Sequence, residues 1–385
     1  MKRTLYTEEH EDFRMMIRDF IAKEVTPHFS EWETARRTPR ELFHKLGALG
    51  VMGFDIPEEY GGPGETSFKY QAIITEECAA AAVSFAHYSV TTSIVLPYLL
   101  KLASEEQKQR WLPGIASGAI ALCIAMTEPG TGSDLAGIRT TARLSEDGTH
   151  YVLNGAKTFI TGALNSELCV VVARTSPATD EDRRAGLTLL VVPTDSEGFA
   201  FGRQLEKLGL HARDTSELSF TDVRVPVANV LGEVGRGFSY LGQNLPRERL
   251  SIGVTAVASA AAAIEFAKAY VKDRQVFGKP VAAFQNTKFV LAECAAEVEA
   301  AQAMTDKAIE LDDSRELSAA DAARIKLFCT EVAGRVIDKC LQLHGGYGYM
   351  TEYPIARLYG DIRVARIYGG TSEVMKTIIA KDMGL

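Results

Sequence analysis

Signatures of nucleotide and hydrolase chemistry are missing from this chain of 385 residues. It has no Gly-x-Gly-x-x-Gly turn, and so no nicotinamide fingerprint. The phosphate-binding loop, the His-Glu-x-x-His pair and the Gly-x-Ser-x-Gly elbow are absent as well. The 7 histidines are scattered, so no metal site is expected. The 6 cysteines (Cys78, Cys123, Cys169, Cys294, Cys329 and Cys340) include no pair at zinc or redox spacing. Each lies in an apolar stretch, and buried free thiols in a reducing compartment are the expectation. A basic surplus is lacking too. The chain has 42 Lys and Arg against 50 Asp and Glu, a net charge of −8, which excludes a nucleic-acid footprint. The longest uncharged stretch, residues 79–100, carries His87, Pro97 and several hydroxyls, too polar for a lipid span. The N-terminal residues soon turn acidic, unlike a secretory or transit segment, so a soluble cytoplasmic protein is expected.

What is present is an ordinary globular mixture, 46% hydrophobic and 24% charged, long enough for two or three substructures. The first third has helical periodicity. Phe13, Ile17, Phe20 and Ile21 form one stripe. Thr38-Pro39-Arg40-Glu41 reads as a helix start, with Thr38 as cap, and Ser104-Glu105-Glu106-Gln107 reads as another. From residue 122 to 232 the period approaches two. Strands are expected at 140–144, 151–153, 157–161, 168–174, 187–192 and 218–225, with turns at Asp147-Gly148 and Asn154-Gly155. Helical periodicity returns after Gly237, over 250–264, 284–303 and 318–343, with Pro246 marking a kink or a late start. Helices, then strands, then helices imply three segregated domains, at 1–121, 122–232 and 233–385.

Three glycine-bearing loops stand out. The first is Met126-Thr127-Glu128-Pro129-Gly130-Thr131-Gly132-Ser133-Asp134, whose backbone and hydroxyls could cradle a phosphate or a flavin edge. The others are Leu343-His344-Gly345-Gly346-Tyr347 and Tyr368-Gly369-Gly370-Thr371-Ser372-Glu373. Singly, each reads equally well as an ordinary turn or helix cap.

Together, with Phe159-Ile160-Thr161, Arg274-Gln275-Val276-Phe277-Gly278 and Phe284-Gln285, they resemble the acyl-CoA dehydrogenase family over residues 7–385. The resemblance implies an α+β multidomain fold: an N-terminal helical domain, a middle β-barrel-like domain and a C-terminal four-helix bundle. It implies FAD as cofactor and α,β-dehydrogenation of an acyl-CoA thioester. By the same resemblance the flavin is held by Met126, Thr127, Gly132, Ser133, Phe159, Ile160, Thr161, Phe277, Gln285, Leu343, Gly345, Gly346, Thr371, Ser372 and Glu373. Arg274 and Gln342 match positions that reach the FAD of a neighbouring subunit, so a homo-oligomer, a tetramer, is implied. Substrate contacts fall to Ser133, Tyr240, Arg249, Gly369 and Gly370, and an electron-transfer flavoprotein is the implied electron acceptor.

The reaction needs a base for the α-proton and donors for the thioester oxygen. In many relatives the base is a Glu immediately before the Gly-Thr of the last loop. Here that position is Gly369. The chain is similar instead to the long-chain and isovaleryl-type members, whose Glu sits on a bundle helix before an Arg. In this sequence that segment is Pro246-Arg247-Glu248-Arg249, which makes Glu248 the expected base. Gly369 leaves room for its carboxylate and keeps a backbone N–H for the oxyanion. Glu373 is the rival carboxylate. An oxygen-using oxidase or monooxygenase, or a non-enzymatic relic of the fold, are the competing functions. Medium- to long-chain or branched acyl groups are the expected substrates.

Overall fold

The computed structural model describes residues 2–179 and 181–385. The chain opens with α1 (Glu8–Phe20), α2 (Phe29–Ala35), α3 (Glu41–Ala48), α4 (Phe68–Ala80), α5 (Leu96–Leu102) and α6 (Glu105–Ala116). Short π-helical segments follow α1 at Ile21–Val25 and precede α5 at Val90–Val95. The amphipathic stripe of α1 buries Ile17, which joins Trp32, Phe43, Leu46 and Met52 in one core. Ser104 and Gln107 cap α6 reciprocally, as their spacing predicts. Thr38 does not cap α3. The helix starts two residues later than the spacing implies, with Arg40 at the cap, and Thr38 Oγ1 donates instead to the Ala212 carbonyl at 2.9 Å. This hydroxyl ties the helical domain to the strands.

The middle of the chain forms β1 (Leu122–Ala125), β2 (Thr141–Leu144), β3 (His150–Thr161), β4 (Leu168–Arg174), β5 (Leu187–Pro193), β6 (Phe199–Gln204), β7 (Thr215–Pro226) and β8 (Val230–Leu231). The sheet order is β6-β7-β3-β2-β4-β5-β8, with β1 parallel to β4. β4 and β5 are apolar on both faces. Val170, Val172, Leu189 and Val191 pack towards Leu99 and Leu112 of the helical domain. Cys169, Val171, Leu190 and Val192 face Leu153, Leu218 and Phe220 across the sheet. Such two-sided burial explains why these strands read as continuous apolar runs.

Two sequence expectations change here. Asp147-Gly148 turns as expected, with Gly148 at φ +69°. Asn154-Gly155 does not turn, and the two short strands flanking it are one strand, β3. β7 pairs along both halves of β3 and leaves a bulge between Leu153 and Gly155. Gly155 sits at φ +151°, where a Cβ would lie 2.5 Å from Thr140 Oγ1. The Asn154 amide exchanges two 2.9 Å hydrogen bonds with Asp222 on β7. The dipeptide therefore shapes a bulge. β1, β6 and the two-residue β8 are strands beyond those expected in this part of the chain.

The remainder is helical: α7 (Gly237–Asp273), a hairpin of β9 (Gln275–Val276) and β10 (Lys279–Pro280), α8 (Gln285–Asp313), α9 (Ala319–Leu343), α10 (Pro354–Ile362) and α11 (Ser372–Asp382). α7 begins at Gly237 and continues through Pro246, so the late start does not occur. Its length and hydropathy would suit a membrane span, but its most apolar window is 72% buried, the condition of a bundle's core helix. Ala256, Ala260 and Ala263 of α7 share one buried core with Ala323 and Ala333 of α9. A Cβ at Gly253 would lie 2.7 Å from Ile325 Cγ2, so the two helices approach closely there. That closeness brings Glu248 on α7 near Lys326 on α9. All six cysteines are free and buried.

Candidate active site

The last loop, between α10 and α11, meets the first third of α7. Gly369 and Gly370 are consecutive left-handed residues, at φ +64° and +96°. A Cβ on Gly369 would lie 2.4 Å from Ile252 Cδ1 and 3.5 Å from Glu248 Oε1. Two side chains of α7 therefore occupy the room that a residue at 369 would claim. Thr371 caps α11 by accepting from Val374 N, and Ser372 Oγ donates to Glu331 at 3.0 Å. Glu373 is exposed, and its pKa is held low by its own backbone N–H and by Thr371. It is an exposed, ionised residue in the first turn of α11, whereas Glu248 is buried.

Glu248 is 5% exposed, and among the described residues its Oε2 has no hydrogen-bond partner. Burial pushes its pKa up to about 7, with Arg249 and Lys326 pulling downward. A buried carboxylate without a partner is costly, which makes the position a functional candidate. The flanking arginines are engaged elsewhere. Arg247 pairs with Asp55 at 2.7 Å and approaches Asp312. Arg249 donates from Nε to the Gly369 carbonyl at 3.3 Å. Lys326, which sequence reasoning missed, is 1% exposed and donates from Nζ to the Gly370 carbonyl at 2.6 Å. Its signal was legible: a lysine on the helical stripe of Ala322, Ala323, Cys329 and Ala333.

A second group forms around the loop after β1. Glu128 accepts from Arg139 N and Thr140 N and pairs with Lys157 Nζ at 2.9 Å. Lys157 also donates to the Met126 carbonyl at 3.0 Å. This buried ion pair fixes the loop from below, and burial brings the Lys157 pKa down to about 8. Thr127 O accepts from Thr158 N on β3, so Thr127 and the segment Phe159-Ile160-Thr161 share one edge. Ile160 is buried and Thr161 half-buried, while Gly132 and Ser133 are exposed. Phe159 is 66% exposed and left-handed, at φ +60°. An exposed aromatic in a strained backbone state fits a surface that a flat ring would cover.

The third group lies at the other end of the bundle. Arg274, Val276, Leu343, Gly345 and Gly346 line a cleft of ≈ 520 Å³. Gln342 and Phe277 are exposed; Phe277 packs edge-on to Phe284, beside Gln285. His344 is buried, stacks on Tyr270, bonds the Cys340 carbonyl and lines the same cleft. This cleft shares no residue with the other two groups. Tyr240 is apart from Glu248: its hydroxyl accepts from Glu233 N, and its ring lines a small cavity with Tyr98 and Asn244. Tyr98 connects the two places, since its pKa is raised by burial and further by the Glu248 charge.

Comparison with known proteins decides what these groups belong to. Residues 7–119, 123–223 and 235–384 match the N-terminal, middle and C-terminal domain models of acyl-CoA dehydrogenase. The long-chain specific acyl-CoA dehydrogenase, mitochondrial, of Sus scrofa is 42% identical over 384 residues, 99% of this chain and 88% of that protein. The chain belongs to the acyl-CoA dehydrogenase family. The crystal structure of acyl-CoA dehydrogenase from Geobacillus kaustophilus matches at TM-score 0.96 and 44% identity, over 100% of both chains. The acyl-CoA dehydrogenase complexed with FAD from Bacillus anthracis matches at TM-score 0.91 and 32% identity, over 98% of this chain and 67% of that one. This acyl-CoA dehydrogenase is thus an FAD-dependent oxidoreductase of fatty-acid metabolism. The open loops at Gly130–Gly132 and Gly345–Gly346, where an added Cβ would meet at most one atom within 4 Å, fit the approach of a large cofactor.

Proposed function

We propose that this acyl-CoA dehydrogenase removes the α-proton of an acyl-CoA thioester with Glu248 and yields the trans-2-enoyl-CoA. The observation that carries the proposal is the buried, unpartnered Glu248 Oε2 beside the space at Gly369. With a pKa of about 7, the carboxylate is substantially ionised at neutral pH and basic enough to take a proton. The Gly369 N–H donates to the thioester oxygen, which makes the α-proton more acidic. When bound, FAD supplies the acceptor for the β-hydride at its N5. Met126, Thr127, Phe159 and Thr161 hold the flavin ring, and Ser133 lies toward the CoA. Thr371 and Ser372 position the last loop. Arg274, Gln342, Gly345 and Gly346 serve the flavin of a neighbouring subunit, in a homotetramer.

Substrates are medium- to long-chain or branched acyl-CoAs, an electron-transfer flavoprotein takes the electrons, and the cytoplasm is the site of action. The test is anaerobic bleaching of the enzyme-bound flavin by a panel of straight and branched acyl-CoAs, for wild type and Glu248→Gln. Bleaching by wild type but not by the variant supports the reading; equal bleaching by both sinks it.

A further inference from the structure

We propose that Lys326 is a positioning residue for this reaction, its ammonium holding the Gly369–Gly370 turn from behind while keeping a positive charge beside the Glu248 carboxylate. The proposal rests on the reading of Glu248 as base. It begins with an anomaly. Lys326 is 1% exposed in the first third of α9, on a buried stripe with Ala322, Ala323, Cys329, Thr330 and Ala333. Burying an ammonium is expensive unless it is well partnered. Its hydrogen bond goes to a backbone carbonyl, Gly370 O, at 2.6 Å.

That carbonyl belongs to the diglycine turn. Gly369 and Gly370 are adjacent and left-handed, and neither has a side chain to restrict it. Relatives with a Glu at this position have a Cβ there; this chain does not. Two cations supply the restraint. Arg249 on α7 holds the Gly369 carbonyl at 3.3 Å, and Lys326 on α9 holds the Gly370 carbonyl at 2.6 Å. These bonds fix the peptide planes on the C-terminal side of Gly369 and Gly370, and so hold the turn that presents the Gly369 N–H. Lys326 Cε also lies 3.6 Å from where a Gly369 Cβ would be, so its stem borders the space that Glu248 enters. Further along α9, Glu331 accepts from Ser372 and pairs with Arg366, which docks the loop on the same helix.

The charges around Lys326 are Arg249 and Glu248 from α7 and Glu331 from α9, while Tyr98 of α5 and Tyr368 of the loop also feel Glu248. Burial and Arg249 bring the Lys326 pKa down to about 8, and Glu248 and Glu331 oppose this. Glu248 Oε1 and Lys326 Cε lie 3.5 and 3.6 Å from the same point at Gly369, so the ammonium adds to Arg249 in pulling the carboxylate's pKa down. Removing the ammonium therefore weakens Glu248 as an ionised base and frees the turn together.

The experiment uses FAD-loaded enzyme. Lys326→Met should lower kcat about tenfold or more, as a misplaced site does, with a smaller change in KM. The acid limb of the pH profile of kcat/KM should move to higher pH. Lys326→Arg, which restores the charge, should bring the limb back. A purely structural lysine would cost thermal stability and flavin content in Lys326→Met but leave the limb in place, and that result overturns the proposal. Should Lys326→Met not assemble, Lys326→Gln keeps a donor for Gly370 O without the charge, and an unmoved limb there has the same meaning. Failure of the base assignment itself appears separately, as activity in Glu248→Gln.

Discussion

The space at Gly369 can be tested as a steric fact, independently of catalysis. Alanine at this position meets two obstacles. Its φ of +64° lies in the left-handed region, which costs an L-residue about 1–2 kcal/mol. Its Cβ would lie 2.4 Å from Ile252 Cδ1, an overlap that typically costs a further ~1–3 kcal/mol. Gly369→Ala should thus destabilise the enzyme by roughly 2–5 kcal/mol. Ile252→Val deletes only the clashing methyl and should alone cost about 0.5–1.5 kcal/mol. In the double variant the overlap is gone, and the backbone term and the cost of Ile252→Val itself should remain. The coupling between the sites should be favourable by about 1–3 kcal/mol, where independent sites add within ~0.5 kcal/mol. The assay is urea unfolding at fixed FAD concentration, followed by the fluorescence of Trp32 and Trp111. Simple additivity would refute the idea that Ile252 fills the place of a missing side chain.

Glu248→Gln should retain FAD and lose turnover by ~10²–10⁴-fold, and wild-type kcat/KM should climb through about pH 7 as the carboxylate ionises. The sign for stability is opposite. The folded carboxyl has a raised pKa and binds its proton more tightly than the unfolded one, so its contribution fades as pH rises towards 7. Glu248→Gln should therefore raise the urea midpoint relative to wild type more at pH 8 than at pH 5; an equal change at both would contradict the burial argument. Glu128→Gln leaves the Lys157 ammonium buried beside the Met126 carbonyl and should cost about 3–5 kcal/mol together with flavin content, measured by unfolding and by the absorbance ratio of the purified protein. Arg274→Ala should lower FAD affinity while sparing the pH profile, which flavin titration and rate measurements would show.

Much of the architecture was legible because periodicity reports burial directly. The capping box at Ser104 and Gln107, the two-sided apolar runs of β4 and β5 and the buried alanines of α7 each follow from local pattern. Asn154-Gly155 misled because the dipeptide suits any left-handed or bulged backbone, and only pairing with β7 makes it part of a strand. Thr38 misled for a similar reason: its hydroxyl had a stronger claim on it in another domain, the Ala212 carbonyl.

The sequence by itself determined the order of helices and strands, the family resemblance and the presence of a glycine where many relatives carry a carboxylate. Those are properties of local periodicity and of motif order along one chain. Only the tertiary structure decided that Glu248 is buried without a partner, that Arg247 is drawn to Asp55 rather than to Glu248, and that Lys326 stands behind the diglycine turn. Desolvation and charge pairing depend on which helices approach across the bundle. The pKa of Glu248 and the restraint on Gly369 arise there, between segments far apart in sequence.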